Sequence, residues 1–434
     1  VAGNYLLKLL FGLNGWAGRL KYLETERQKP HLLRDLLAMR LAIESALYAE
    51  CREAEVRRAW EANILALETS AAAVPDWGFV ARLVAHEAYE LAWQQKTFAS
   101  LQPEEPAGSS TAAPEAQAVF CIDVRSEIFR SSLESVLPAV ETIGFAGFFG
   151  MSISLQAVDG SEASARCPVL LKPQFVVHES PCCGSHSKEA SAAGEPGRIG
   201  IWEKFRQSAV ACFGFVETLG VFYGWKLALE TAKHSRERKE EVELLLDGIA
   251  LEDRVALAEG ALRNMGLVGK LAPLVLLCGH GAASRNNPFA ASLDCGACGG
   301  HAGDTNARVA AALLNQTEVR AALAERGIAI PETTWFIAGL HNTTTDAVQL
   351  FEEGCPPSHR AAVQKLQAGL AEASEHSRKQ RAKLLGNSSP EGDLAAELQR
   401  RAVDWSEVRP EWALAGNALF VAAPRERTRG IPLN

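Results

Sequence analysis

Three short runs in this 434-residue chain are almost free of charge and stop abruptly at residues able to bind metals or protons. They are Ala118-Val-Phe-Cys-Ile-Asp123, Pro273-Leu-Val-Leu-Leu-Cys-Gly-His280 and Thr333-Thr-Trp-Phe-Ile-Ala-Gly-Leu340, the last leading into His341-Asn-Thr-Thr-Thr-Asp346. Each run is short and has no polar alternation, so it reads as a strand covered on both faces. Such strands build parallel sheets with helices on either side. Ligands in these sheets gather beyond the carboxyl ends of the strands. Cys121/Asp123/Arg125, Cys278/His280 and His341/Asp346 would converge there.

The rest of the chain is organised around that core. Residues 1–100 form a helical segment, with helical spacing from Leu32 to Leu67 and from Phe79 to Phe98. Residues 101–117, rich in Pro, Ser, Ala and Gly, form a linker. Residues 118–355 are the α/β core, with a partly helical insertion at about 160–265. A helix from about Ser126 to Leu137 follows the first strand, Glu141 to Leu155 is a second strand or a glycine-rich packing segment, and Pro168–Lys172 is a further strand. Asp304–Asn315 is a helix, and residues 356–434 are a helical segment with a charged helix over 357–386. No internal repeat is visible.

Composition excludes some functions. A net charge of −8 argues against nucleic acid or anionic lipid as the main partner. Ten cysteines in 434 residues are too few for a disulfide scaffold, and a reducing, cytoplasmic setting leaves thiols free for metal. Lys8 breaks the only apolar run near the start, so no signal peptide is expected. The nearest approaches to a membrane span, Thr142–Val158 and Ser208–Trp225, carry glycines and Glu217 and are expected in a buried core. The start at Val1 and the end at Gly430-Ile-Pro-Leu-Asn434 suggest a fragment of a longer chain.

In extended backbone Cys121, Asp123 and Arg125 share one face. Thiolate and carboxylate are zinc ligands, and an arginine beside them stabilises both anions. The bland alternative is a buried Cys and an Asp that caps the next helix. The segment from Cys278 to His301 is richer, with three Cys and two His in 24 residues and glycines around each. Those glycines permit the close approach a metal loop needs. Cys295-Gly-Ala-Cys298 also has the spacing of a zinc knuckle or a redox pair. His178-Glu-Ser-Pro-Cys182-Cys183-Gly-Ser-His186 is a further cluster, read equally as a metal site or a surface turn. From these residues alone, a zinc enzyme, a structural zinc module in a partner-binding scaffold and a thiol redox enzyme using Cys295 and Cys298 all remain open.

The Cys-x-Asp-x-Arg strand with a later His and Cys resembles the β-class carbonic anhydrases. Val119–Glu127, Thr142–Gly150, Gly279–Pro288 and Leu293–Gly300 more closely resemble the DabA family, the large soluble subunits of bacterial inorganic-carbon accumulation complexes. The resemblance implies a β-carbonic anhydrase-like parallel sheet core with helical flanks. It implies one Zn2+ held by Cys121, Asp123, His280 and Cys295, although His280 and Cys295 lie fifteen positions apart and not the three of the β-class pattern. Asp123 and Arg125 would be the catalytic pair in hydrating CO2 to bicarbonate, Arg125 drawing Asp123 off the metal so that water can enter. Phe145, Phe148 and Phe149 would line an apolar pocket. The implied partner is an antiporter-like, proton-translocating membrane subunit of the Dab complex, with this chain peripheral on the cytoplasmic face of the inner membrane.

Overall fold

A computed structural model describes residues 2–26, 30–69, 76–101, 114–158, 162–181, 242–269, 271–285, 293–386 and 392–431 (the last without 415, 417 and 418), together with 221, 224 and 225. The chain divides into two compact units, residues 1–99 and 100–434. The first consists of helices α1 (Ala2–Phe11), α2 (Asn14–Glu26), α3 (Leu32–Glu50), α4 (Ala54–Thr69) and α5 (Trp77–Ser100). Only Leu9 and Thr97 are buried among its described residues, while Trp16, Trp77 and Tyr89 lie exposed.

The second unit is mixed α/β. Strands β1 (Ala116–Cys121), β2 (Val140–Phe145), β7 (Leu274–Gly281), β8 (Trp335–Asn342) and β9 (Ala347–Phe351) form one sheet in the order β2-β1-β7-β8-β9. All pairings are parallel except the β8–β9 hairpin. Every residue of β1 and β7 is buried, as their uncharged sequences require. A second sheet, β4-β3-β5-β6, contains β3 (Ile153–Gln156), β4 (Ser164–Ala165), β5 (Phe175–Pro181) and β6 (Val242–Leu245).

Helices cover both faces of the larger sheet. Val119, Val275 and Leu277 join a core with α7 (Leu251–Met265), α8 (Asp304–Asn315) and α9 (Thr317–Glu325). Ala118, Phe120, Leu274 and Leu276 face the opposite way, against Phe129 and Leu133 of α6 (Val124–Val136) and Val363, Leu366 and Leu370 of α10 (Arg360–Leu384). Helix α11 (Leu394–Val403) follows. Removing a ring such as that of Phe129, which is fully buried, would cost about 3–5 kcal/mol.

Some expectations are corrected. Pro168–Lys172 is a turn and bend and not a strand, because Cys167 is the last residue there to be buried and Val169 and Leu170 point into solvent. Within the partly helical insertion expected at about 160–265, β6 and α7 are described, while 182–220 and 226–241 lie outside the described residues. So do 102–113 of the expected linker. Strand β8 runs on through His341 to Asn342, because Val348 and Ala347 of β9 pair with them. Among the described residues no helix is long and apolar enough to cross a membrane.

Candidate metal centre

Parallel order brings the carboxyl ends of β1, β7 and β8 to one edge of the sheet. There the ligand atoms of Cys121, His280 and Cys295, all three buried, lie within 4.8 Å of one another. Cys121 ends β1 and His280 stands near the end of β7. Cys295 precedes the 3-10 turn Gly296–Cys298 and bridges backbone to His301. Close backbone packing makes the convergence possible. A Cβ on Gly279 would sit 2.5 Å from the carbonyl oxygen of Gly303, so only glycine lets the two segments meet.

The three groups suit a metal ion. The Cys121 and Cys295 sulfurs are 3.9 Å apart. Two thiolates on a tetrahedral zinc, each at about 2.3 Å, stand about 3.8 Å apart. His280 is 1% exposed and its Nδ1 has no hydrogen-bond partner. A buried nitrogen left in that condition costs about 1–3 kcal/mol, a deficit that ligation by the imidazole removes. Gly147 leaves the space open on another side, where an added Cβ would lie 2.8 Å from the Cys295 sulfur and 2.9 Å from the Cys121 sulfur.

The electrostatics agree. The hydrogen bond with Cys295, and then burial, push the Cys121 thiol above the ordinary thiol range, against a smaller pull from His280. For Cys295 the contact with Cys121 lowers the value, but Cys298 and burial outweigh it and push it up to about 12. Buried thiols with raised pKa values are poor nucleophiles, which weighs against the redox reading. A cation beside them supplies the charge that makes thiolates stable.

Asp123 and Arg125 do not continue the strand. The chain turns at Asp123, whose side chain caps α6 by accepting the Arg125 backbone N–H at 2.9 Å. The expectation of one strand face for Cys121, Asp123 and Arg125 is therefore corrected. The Arg125 guanidinium folds back and grips both carboxylate oxygens, Nε to Oδ1 at 2.7 Å and Nη2 to Oδ2 at 3.0 Å. Burial raises the Asp123 pKa, but Arg125 and His280 more than offset it and hold the carboxyl below the usual range. Burial also disfavours charge on Arg125, and Asp123 outweighs it. Arg125 donates from Nη1 to the Leu293 carbonyl, two residues before Cys295, and its Nη2 stands 3.2 Å from His280 Nε2. Asp123 Oδ2 is itself 3.5 Å from that nitrogen. Asp123 thus lies beside the three-residue cluster.

Other expected residues fall elsewhere. Phe148 packs on the Cys121, Cys295 and Cys298 cluster, but Phe149 is wholly buried in the core and Phe145 packs against that core, so the three rings do not form one pocket. Cys298 donates to the Gly147 carbonyl at 3.2 Å. His301 is half-buried, and burial with nearby Arg166 lowers its pKa. Cys278 sits behind the site in the core, its thiol pushed up by burial. His178 lies in β5, while Cys182, Cys183 and His186 are outside the described residues. Sequence reading missed Gly147, visible only as one glycine of a Phe-Gly-rich stretch. It also missed Glu411, a buried carboxylate that accepts from Ser284 at 2.8 Å and Thr344 at 2.6 Å.

Residues 2–434 match the family described as DabA, probable inorganic carbon transporter subunit. The chain is 42% identical to the "Probable inorganic carbon transporter subunit DabA" of Roseiflexus castenholzii, covering 99% of this chain and 55% of the relative. Its identity to the Chloroflexus aggregans protein of the same name is 42%, again over 99% of this chain and 55% of the relative. A Bradyrhizobium relative (strain ORS 278), named subunit DabA 1, is 40% identical with the same coverage. The chain therefore spans about half the length of these curated relatives. No solved structure matches it.

Proposed function

This chain belongs to the DabA family of inorganic carbon transporter subunits, and from that premise we propose that Cys121, His280 and Cys295 hold one zinc ion that serves in interconverting CO2 and bicarbonate. Asp123 is the fourth ligand in one state of the site. The observation that carries the reading is the pairing of Asp123 with Arg125 beside a convergent two-sulfur, one-imidazole cluster.

Zinc supplies Lewis acidity that lowers the pKa of a water towards about 7. Arg125 decides whether that chemistry has room. By holding both oxygens of Asp123 it keeps the carboxylate from closing the ligand set. Asp123, kept anionic, can accept a hydrogen bond from a nucleophilic water and orient it. The Arg125 bond to the Leu293 carbonyl ties the Cys295 loop to the same switch. Phe148 shields the sulfurs on one side.

The relatives are named as subunits, which implies a complex. We assign the partner as a proton-translocating, antiporter-like membrane subunit, with this chain peripheral on the cytoplasmic face of the inner membrane. An ion gradient would drive the reaction in one direction, trapping bicarbonate inside the cell.

Metal analysis and zinc-edge absorption on the purified chain provide the test. The expected result is one zinc with two sulfur ligands and one nitrogen, lost in Cys121→Ala and His280→Ala. Arg125→Ala should keep zinc and abolish carbon accumulation by the whole complex in cells. Full accumulation by that variant would refute the switch, and a chain that never takes up zinc would refute the site.

A further inference from the structure

A second buried polar cluster is built on the strand next to His280. His341 pairs in register with His280 on the neighbouring strand, and strand alternation puts both on the same face of the sheet. The imidazole of His341 is 0% exposed and engaged at both nitrogens. Nε2 meets Asp346 Oδ1 at 3.2 Å and Nδ1 meets Ser126 Oγ at 3.3 Å. Asp346 also accepts from Arg381 Nη1 at 2.9 Å, and Arg381 is itself fully buried.

Ser126, His341 and Asp346 have the order of a nucleophile, base and acid, but not the setting. All three are buried, and the Phe129 ring lies against the imidazole with centroids 4.6 Å apart. No acyl substrate could approach the serine.

The cluster instead reaches the metal centre by two routes. Ser126 is the residue after Arg125 in the first turn of α6, and its N–H donates to the Asp123 carbonyl at 2.9 Å. The turn that follows His341 holds the segment after His280: Thr343 N–H donates to the Gly281 carbonyl at 2.9 Å, and Ala283 N–H to Thr344 Oγ1 at 2.8 Å. Arg381 fixes that turn through the carbonyls of Thr344 at 2.9 Å and Thr343 at 2.7 Å. Asp346 holds a left-handed φ of 56°, a conformation uncommon for a residue other than glycine and kept here by its neighbours.

We propose that His341, held by Asp346 and Arg381, is a positioning residue for the metal centre, fixing the first turn of α6 through Ser126 and so aiming Arg125 at Asp123. The consequence for the metal rests on the zinc reading above. The consequence for Arg125 does not.

The test uses the full chain with Ser126→Ala, which deletes only the hydroxyl, and His341→Gln. Two readouts are compared with wild type and Arg125→Ala. The first is amide hydrogen exchange in the metal-free protein. Peptides covering residues 122–129 should exchange about fivefold faster in Ser126→Ala, the share expected from one neutral hydrogen bond, while peptides within β7 stay unchanged. The second is the visible spectrum with Co2+ in place of zinc, which should shift in the direction of Arg125→Ala. Unchanged exchange at 122–129 overturns the proposal, as does acceleration spread over the whole unit, which would mark His341 as merely structural. A local change in exchange with a wild-type Co2+ spectrum overturns the link to the metal. If the wild-type chain takes up no Co2+ at all, the zinc reading fails while a local exchange change still supports the positioning of Arg125.

Discussion

Gly147→Ala isolates the geometry of the proposed metal centre in one methyl group. Gly147 does not need a left-handed backbone, so alanine brings no conformational penalty there. The whole effect is steric. The new Cβ would lie 2.8 Å from the Cys295 sulfur, 2.9 Å from the Cys121 sulfur and 3.2 Å from the Cys121 Cβ. Non-bonded heavy atoms of this size prefer about 3.5–4 Å, so both sulfurs are overlapped by well over half an ångström. The sulfurs must part or the Gly147 segment must withdraw, and withdrawal breaks the bond from Cys298 to its carbonyl. Overpacking of this kind costs about 1–3 kcal/mol. If most of it falls on the metal-loaded state, where the sulfur separation is fixed, zinc affinity drops by about thirtyfold, taking about 2 kcal/mol as the middle of that range. Competition with a chromophoric chelator measures it. Zinc binding as tight as wild type, in a folded variant, would refute the packing described here.

Other perturbations have clear signs. Both ligand thiols are held protonated above the unfolded value of about 8.5, so zinc uptake at neutral pH should release close to two protons, read from calorimetry in buffers of different ionisation enthalpy. By the same sign, the stability these protonated thiols give the metal-free fold is complete below about pH 8.5 and is lost as pH rises beyond it, so the metal-free protein should melt lower above that point while the zinc-loaded one does not. Arg381→Ala strands Asp346 in a dry interior and should cost about 3–5 kcal/mol in urea unfolding; a loss below 1 kcal/mol would contradict the buried pair. Gly260→Ala, within α7 and with open space around its Cβ, should stabilise by about 0.5–1 kcal/mol, and a destabilised variant would count against that environment.

The strands were legible because parallel strands covered on both faces leave uncharged runs, and β1, β7 and β8 do so. The convergence of Cys121 and His280 at their carboxyl ends was legible for the same reason, since these residues interrupt those runs. Pro168–Lys172 misled because apolarity alone cannot separate a buried strand from an exposed apolar turn, and Val169 and Leu170 are 91% and 96% exposed. The turn at Asp123 was hidden by a real ambiguity. An Asp just before a helix satisfies both the capping pattern and the ligand pattern, and only geometry shows that its oxygens go to Arg125. Gly147 and Glu411 left no local pattern, because each acts through contacts with residues distant in the chain, Cys121 and Cys295 for Gly147 and Ser284 and Thr344 for Glu411.

That double role of Asp123 bears on which kind of zinc site is proposed. Two thiolates neutralise a divalent ion, and Asp123 and Arg125 neutralise each other, so the set is neutral whether the carboxylate turns to the metal or to the guanidinium. Moving between them leaves the total charge of the set unchanged, in a site where a net charge is costly. A zinc module with a purely structural task gains nothing from that freedom, since closed coordination is what holds a fold. Arg125, moreover, is engaged by Asp123 through two nitrogens and by the Leu293 carbonyl. A cation held so firmly beside a carboxylate that could otherwise close the metal is the arrangement expected if the open state of the site is the one being stabilised.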